Sequence, residues 1–215
     1  MLVYIISIMS NRILRIYKSR KIVLDILEKH QGYDTSDYAE FSINEIDTMF
    51  NNNQLDMLVS NDADGTKTYV KYYLDSKQIR PQNLDDIIED LFMVESTLTV
   101  KDTLVIITED EPNDTIVARM KYLYNKDGVF VVVHNINRLQ YNILQHSLVP
   151  SMRILSKVEL DEVIVKFNLK NTTQLPEIGR FDPQALAMSM RPGQVGMFER
   201  DSITALKSNY YRVCV

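Results

Sequence analysis

The sequence predicts an α/β domain over residues 1–139, followed by a small α+β domain with a mixed sheet over residues 140–215. Three observations indicate this organisation. A buried strand, a helix and a second buried strand follow one another across residues 102–135, an order typical of parallel α/β structure. A long amphipathic pattern fills residues 10–33. From about residue 140 the elements become short and are separated by prolines.

The composition is that of an ordinary globular chain. Its 215 residues are 45% hydrophobic and 25% charged, which argues against disorder over most of the length. The single cysteine excludes a disulfide framework. The net charge of −5 is uneven, at −7 over residues 1–139 and +2 over residues 140–215. An acidic first part argues against a free-standing nucleic-acid binder, whose affinity comes from neutralised phosphates, but permits a protein that partners hold near DNA.

The N-terminal region begins with an apolar segment and continues as a helix. Residues 1–9, MLVYIISIM, are too short to span a bilayer and lack the basic start of a signal peptide. We expect them to form an extra segment that pairs as a strand, and Met9 is equally an alternative start. The apolar residues of SNRILRIYKSRKIVLDILEKHQGY recur at helical spacing and predict one buried face before Gly32. They are Ile13, Tyr17, Leu24 and Leu27.

The same helix is basic in its first half. This basic surface has two possible interpretations. It is either a solvated face or a docking face for nucleic acid or an acidic partner. Its residues are Arg12, Arg15, Lys18, Arg20 and Lys21.

Local signals predict the next elements. Ser42 and Glu45 have the spacing of a capping box, which begins a helix. LDMLVS and TKTYVKYYL are β-rich runs on either side of NDADG. Because Gly65 in that turn adopts a positive φ at low cost, the runs predict a hairpin. NLDDIIEDLFMV predicts a helix with Asn83 as its N-cap.

The end of the first domain has the order strand, helix, strand. DTLVIIT and VFVVVHN predict buried strands, and NDTIVARMKYLYNKDG predicts a helix that Gly128 closes. This order predicts a parallel pair joined by a right-handed crossover.

Residues 140–215 predict a small α+β domain. SKVELDEVIVKFNL carries a second capping box, Ser156 with Glu159. Asp182 precedes Pro183 at the start of a short helix, where the missing proline amide costs nothing. QVGMFERDS and NYYRVCV predict a closing pair of strands. A core of about 75 residues is marginal, so partners are expected to contribute to its stability.

Little in the chain predicts catalysis, and we expect neither a cofactor nor a metal. The six glycines form no phosphate-binding loop. His146 is either a ligand or general base or, as we favour, a histidine satisfied by neighbouring backbone. Cys214 lies in an apolar strand and is expected to be a packed, inert thiol.

One constellation predicts a different class of protein. By their spacing Asp75 and Lys77 share a strand face, and Asp56 lies on the preceding strand. A magnesium-dependent nuclease uses a carboxylate pair and a lysine to hold metal and activate water. We keep this nuclease as the alternative function, although a second acidic ligand beside Asp75 is missing.

The segment TTQLPEIGRFDPQALAMSMRPGQVG, residues 172–196, contains three of the six prolines. It has no histidine, no cysteine and no cluster of carboxylates. Since proline fixes φ, such a segment loses little conformational entropy when it binds. These features favour a surface that a larger protein binds.

Five ordered blocks between residue 146 and the C-terminus carry a family resemblance. They are HSLVP, QLPEIGRFDPQA, RPGQV, ERDSIT and YYRVCV. In this order they resemble the fifth subunit shared by the eukaryotic nuclear RNA polymerases, together with its archaeal counterpart. The N-terminal helix with its exit Gln31-Gly32-Tyr33 is similar to the same family over a shorter pattern. Departures from the family pattern motivate the hypothesis of a copy encoded by a large DNA virus.

The resemblance implies an architecture and a set of contact residues. The N-terminal domain would be a jaw, similar in fold to restriction endonucleases but without their active site, and the C-terminal domain would be an assembly domain. The subunit-interface residues that it implies are Pro150, Gln174, Leu175, Pro176, Asp182, Pro183, Arg191, Gly193, Arg200, Tyr211 and Arg212. The residues that it implies near downstream DNA are Asn113, Thr115 and Arg119. The three arginines of the interface set offer planar forks to a partner, or else form a solvated rim.

We therefore expect a non-catalytic subunit of a DNA-directed RNA polymerase. Its partners would be the largest subunit, other polymerase subunits and downstream double-stranded DNA, with no membrane and no homo-oligomer. Its location would be intracellular: the nucleus if the protein is cellular, or the host cytoplasm and virion if it is viral. The rivals are the nuclease and a scaffold unrelated to transcription.

Overall fold

The chain folds into two compact units. The structure, a computed structural model, describes the backbone of residues 2–215 and the side chains of residues 11–215. Its contacts divide the chain into Met1–Tyr141 and Asn142–Val215. The boundary expected from the sequence, between residues 139 and 140, lies two residues before this division.

Helix α1 (Leu2–Gln31) opens the N-terminal unit. It ends at Gly32, which has a φ of +74° and donates its amide to the Glu28 carbonyl at 3.2 Å. The expectation of a separate strand at the start is wrong, because Leu2 is already helical and the helix continues through Met9. Within the described residues, none of the helices combines the length and the apolar character that crossing a bilayer requires.

The apolar face of α1 is where the sequence predicts it, but the basic face is not. Ile13, Leu24 and Leu27 are buried, and Tyr17 is half-buried. Arg20 is only 1% exposed, so the interpretation of one continuous solvated basic face is wrong. The pattern misled because i, i+3 and i+4 spacing also brings Arg20 onto the buried side of the helix.

The next elements follow local signals, with one exception. Helix α2 (Ile43–Asn51) begins at the predicted capping box, in which the Ser42 amide donates to Glu45 Oε2 at 2.7 Å. Strands β1 (Met57–Ser60) and β2 (Lys67–Tyr73) form the predicted antiparallel hairpin.

Helix α3 (Pro81–Glu89) does not begin at Asn83. Its N-cap is Arg80, with Pro81 in the first turn. A proline whose fixed φ suits the first helical position therefore starts the helix two residues earlier than the predicted cap. Asn83 is the third residue of the helix, and its side chain donates to the hydroxyl of Tyr73. A π-helical turn, Asp90–Val94, follows.

The N-terminal unit is organised around a four-stranded mixed sheet in the order β1-β2-β3-β4. Strand β3 (Thr103–Thr108) is buried throughout and is parallel to both β2 and β4 (Phe130–Asn135). Helix α4 (Asp114–Asp127) connects β3 to β4 and ends at Gly128, with a φ of +72°. The predicted parallel pair and its connecting helix are confirmed.

The C-terminal unit is a smaller mixed sheet with helices α5 (Lys157–Lys166) and α6 (Pro183–Ala187). Strands β7 (Val195–Ser202) and β8 (Leu206–Cys214) form the predicted closing pair. Two short strands, β5 (Ser151–Ile154) and β6 (Glu177–Ile178), complete the order β5-β7-β8-β6. The core of this unit is Met152, Ile178, Ala185, Met188, Met190, Phe198 and Cys214.

The coarse fold class is therefore confirmed, since both units combine helices with mixed sheets. The likeness of the N-terminal unit to a jaw of restriction-endonuclease type stays a prediction.

Candidate functional site

The proline-rich segment, residues 172–196, is bonded to the last strand by its backbone. The Val213 amide donates to the Pro176 carbonyl at 2.9 Å, and the Val215 amide donates to the Ile178 carbonyl at 2.9 Å. The Arg180 amide in turn donates to the Val215 carbonyl at 2.8 Å. Because β6 is parallel to β8, these bonds hold the segment along the edge of the sheet.

The start of α6 fixes the middle of the segment. The Asp182 carboxylate accepts from the Gln184 amide at 2.9 Å, as the predicted N-cap requires, and Pro183 follows it. The Gln184 side chain donates to the Pro150 carbonyl at 2.7 Å. The helix start is thereby joined to the chain that enters β5.

A glycine turn closes the segment before β7. Gly193 has a φ of +88° and donates its amide to the Cys214 carbonyl at 2.9 Å. The Arg191 amide donates to Oε1 of Gln194 at 2.7 Å. Such a φ is open to glycine and strained for other residues, which accounts for the glycine of RPGQV.

The predicted interface residues all keep exposed surface while their backbone is fixed. Six are exposed: Gln174, Pro176, Asp182, Pro183, Gly193 and Arg200. Five are partly buried: Pro150, Leu175, Arg191, Tyr211 and Arg212. Ordered backbone with outward side chains reduces the entropy that a partner must remove on binding.

The structure brings some of these residues together in one groove. Pro150 and Arg200 line an open cavity of about 450 Å³, beside Glu199 and Lys207, which form an ion pair with each other. Leu148 lies in the same groove and is 85% exposed. The motif HSLVP contains Leu148 without marking it as a site residue, because an apolar residue in a short motif gives no sign of its exposure.

A second group lies on the β7–β8 hairpin. The guanidinium carbons of Arg200 and Arg212 lie 4.5 and 5.5 Å from the ring centre of Tyr210. Tyr211 points to the opposite face of the sheet and packs edge-on against Phe167 at 5.7 Å. The hairpin arginines are therefore already held by an aromatic ring, which favours a fixed presentation over a mobile rim.

His146 and Cys214 are as the sequence predicts. Nδ1 of His146 accepts from the Leu148 amide at 3.2 Å, so neighbouring backbone satisfies the imidazole. The Cys214 thiol is 1% exposed and donates to the Met190 carbonyl at 3.5 Å. Burial raises the pKa of Cys214 to about 11, which removes the thiolate needed for reactivity near neutral pH.

The residues predicted to lie near DNA are at the start of α4. The Asn113 side chain accepts from the Ile116 amide at 3.0 Å and caps the helix, and Thr115, two residues later, is exposed. Arg119 forms a bidentate ion pair within the protein, since its Nε and Nη2 donate to the two carboxylate oxygens of Asp85. Its pKa is raised, first by that hydrogen bond.

The predicted nuclease arrangement does not form. Asp75 and Lys77 lie in a bend after β2 ends at Tyr73, so the shared strand face is a wrong prediction. Asp56 accepts from Lys71 Nζ at 3.0 Å and from the Tyr69 hydroxyl at 3.1 Å. Asp56 and Asp75 do line one open cavity of about 400 Å³, but Lys77 does not.

The described residues also contain no group of three or more histidine, cysteine, aspartate or glutamate side chains placed to hold a metal ion. The geometry therefore lends the nuclease alternative no support.

The C-terminal unit is similar in sequence to known proteins. The family described as RNA polymerase Rpb5, C-terminal domain, matches residues 141–214. DNA-directed RNA polymerase subunit Rpo5 of Thermococcus kodakarensis is 41% identical over 76 residues, which cover 35% of this chain and 92% of that protein. The Rpo5 subunit of Nitrosopumilus maritimus is 40% identical over 76 residues, covering 35% and 90%.

The Rpo5 subunit of Archaeoglobus fulgidus is 34% identical over 77 residues, covering 36% of this chain and all of that subunit. The unit that holds this small mixed sheet and its bonded proline-rich edge is thus the part of the chain that matches subunits of DNA-directed RNA polymerase. The chain belongs to the Rpb5 family of RNA polymerase subunits, and the resemblance noted in its sequence is confirmed. Residues 1–140 lie outside the family match.

Proposed function

We propose that this protein is a non-catalytic subunit of a DNA-directed RNA polymerase and takes part in transcription. The observation that carries the proposal is the family match over residues 141–214, where the relatives are named as polymerase subunits. The geometry agrees with a binding role, because Gln174, Pro176, Asp182, Pro183 and Gly193 are exposed within a segment whose backbone is hydrogen-bonded to the sheet. Its partners are then other polymerase subunits, and its location follows that of the polymerase.

The C-terminal unit docks on the largest subunit in this proposal. Rigid apolar and proline-bearing surface is well suited to association, since little conformational freedom is lost. The groove of Leu148, Pro150 and Arg200 adds an apolar contact beside a cation, the combination found at the centre of strong interfaces.

The N-terminal unit extends toward downstream DNA in the same proposal. The net charge of −7 over residues 1–139 opposes independent DNA binding, because phosphate contacts require cations. We therefore assign its position near DNA to the polymerase that carries it. Phosphodiester chemistry belongs to the large subunits, and this chain runs no reaction of its own.

The experiment is recovery of a tagged full chain from its native source, with identification of the proteins that come with it. Polymerase subunits are expected. Pro176→Ala combined with Asp182→Arg should then lower recovery of the largest subunit about tenfold or more, as loss of central interface contacts does. Recovery without any polymerase subunit would contradict the proposal and favour a scaffold unrelated to transcription.

Two controls separate docking from folding. Asp182→Ala removes the cap of α6 without adding bulk or charge, so it measures the effect of the cap alone. Asp161→Arg makes the same charge reversal at an exposed position of α5, outside the segment. Equal loss of recovery in Asp161→Arg would show that charge, and not this surface, governs assembly.

A further inference from the structure

Arg20 is a buried cation whose side chain is only partly bonded. It lies on α1 at 1% exposure, and its Nη1 donates to the Leu55 carbonyl at 2.7 Å. Its Nε and Nη2 are buried and have no hydrogen-bond partner among the described residues. Two unsatisfied donors on a charged group are costly in a protein interior, so they call for an acceptor.

The neighbours of Arg20 do not supply that acceptor. The rings of Tyr38 and Phe41 lie 5.6 and 5.4 Å from its guanidinium carbon. Their faces attract the charge but do not replace a hydrogen-bond acceptor for the N–H groups. The carboxylate of Asp56 acts on Arg20 electrostatically but is bonded to Lys71 at 3.0 Å. Burial accordingly lowers the pKa of Arg20.

A small cavity adjoins this guanidinium. Its volume is about 50 Å³, and Arg20, Tyr17, Lys21 and Tyr38 are among its lining residues. Lys21 is exposed and adds a second positive charge. The cavity is open to solvent and has room for a few water-sized groups, such as a small anion or the carboxylate end of a side chain.

We propose that the Arg20 cavity binds a single small anion, through Nε and Nη2 of Arg20. These two donors form one edge of the guanidinium fork, which matches the two oxygens of a carboxylate or one halide ion. The carboxylate comes either from an acidic side chain of another protein or from a free anion. Both sources share this chemistry.

The test follows thermal unfolding of the full chain in acetate and in chloride. Ionic strength is held constant with gluconate, whose carboxylate is attached to a hydroxyl-bearing carbon and not to a slim methyl or methylene group that could enter the cavity. The unfolding midpoint should rise with anion concentration, saturate, and gain about 2–4 °C in total. Arg20→Met should abolish the rise. Lys18→Met, which removes an exposed charge from the same helix outside the cavity, should retain it.

A rise that is absent from the wild type, or equal in Arg20→Met, overturns the proposal. If Arg20→Met does not fold, the test is the position of bromide in crystals of the wild-type full chain, located by its anomalous scattering. An anomalous peak within about 3.5 Å of Nε and Nη2 supports the site, and a crystal with bromide elsewhere only overturns it.

The source of the anion is distinguished by a third titration. Acetyl-aspartate N-methylamide presents a protein-like carboxylate to the same cavity. If it saturates the response at a concentration about tenfold below that of acetate or chloride, an acidic side chain is the ligand. Saturation by acetate or chloride at a concentration equal to or below that of the aspartate derivative assigns the site to a free ion.

Discussion

The amide of Gly193 donates to the carbonyl of Cys214 at 2.9 Å, and the amide of Cys214 donates to the carbonyl of Gln194 at 2.8 Å. The two bonds join the turn before β7 to the end of β8. The turn can take this position because Gly193 has a φ of +88°.

Gly193→Ala is expected to lower the free energy of unfolding by about 1–2 kcal/mol, the cost of a side chain at positive φ. The added Cβ would meet no atom of the described residues within 4 Å, so the loss is conformational and not steric. Urea denaturation measures it. The control is Gly179→Ala, where φ is not positive and the space is also open, and where alanine should be neutral or stabilising. Similar losses at both positions would contradict the argument.

His134 gives the stability of the protein a pH dependence. It lies on β4, and burial, followed by the charge of Arg138, lowers its pKa from 6.5 to about 4. The unfolded chain therefore takes up a proton below pH 6.5 that the folded protein does not, so stability falls until the folded histidine protonates near pH 4. His134→Gln should remove about 3 kcal/mol of this loss, measured as the difference from wild type between pH 7 and pH 4.

The control for His134 is His30→Gln, at the end of α1. It makes the same exchange of side chains at a helix end, outside the buried strand. If His134→Gln and wild type lose stability in parallel from pH 7 to pH 4, the histidine is not the group responsible.

The elements that could be predicted are those fixed by neighbouring residues. The capping box of Ser156 and Glu159 forms as predicted, because its hydrogen bonds span only three residues. Asp182 caps α6 for the same reason. Asn83 failed as a cap because a second local signal, Pro81, competes with it and starts the helix earlier.

What could not be predicted depends on residues far apart in the chain. The burial of Arg20 is tied to the Leu55 carbonyl, 35 positions away, and no local pattern signals it. Strand β6 has two residues and exists only through its pairing with β8. In the candidate site, the motifs identified the proline-rich segment, but the exposure of Leu148 depends on the course of the folded chain before β5, which no local pattern gives.

Cys214 should be protected from thiol reagents in the folded protein. Burial raises its pKa to about 11, so at pH 8 it is both shielded and protonated. Reaction with a disulfide reagent should be at least about a hundredfold slower than in denaturant, since it requires local opening. Cys214→Ser combined with Ser147→Cys places the single thiol at an exposed position and should react at the denatured rate. Fast labelling of wild type would contradict the buried position.

Leu148 and Ile203 separate a docking groove from general surface apolarity. Both are apolar and exposed, at 85% and 106%, and both belong to the C-terminal unit. Only Leu148 lines the groove with Pro150 and Arg200. Leu148→Asp should therefore lower recovery of polymerase subunits by about tenfold or more, because it places a charge in an apolar contact. Ile203→Asp should not.

Neither substitution should change the free energy of unfolding by more than about 0.5 kcal/mol, since both side chains are outside the core. Unfolding in urea checks this, and the tagged full chain from its native source gives the recovery. Equal recovery with Leu148→Asp and wild type would remove the groove from the interface while leaving the bonded proline-rich segment as the remaining docking surface. Loss with Ile203→Asp alone would move the interface to the tip of the β7–β8 hairpin.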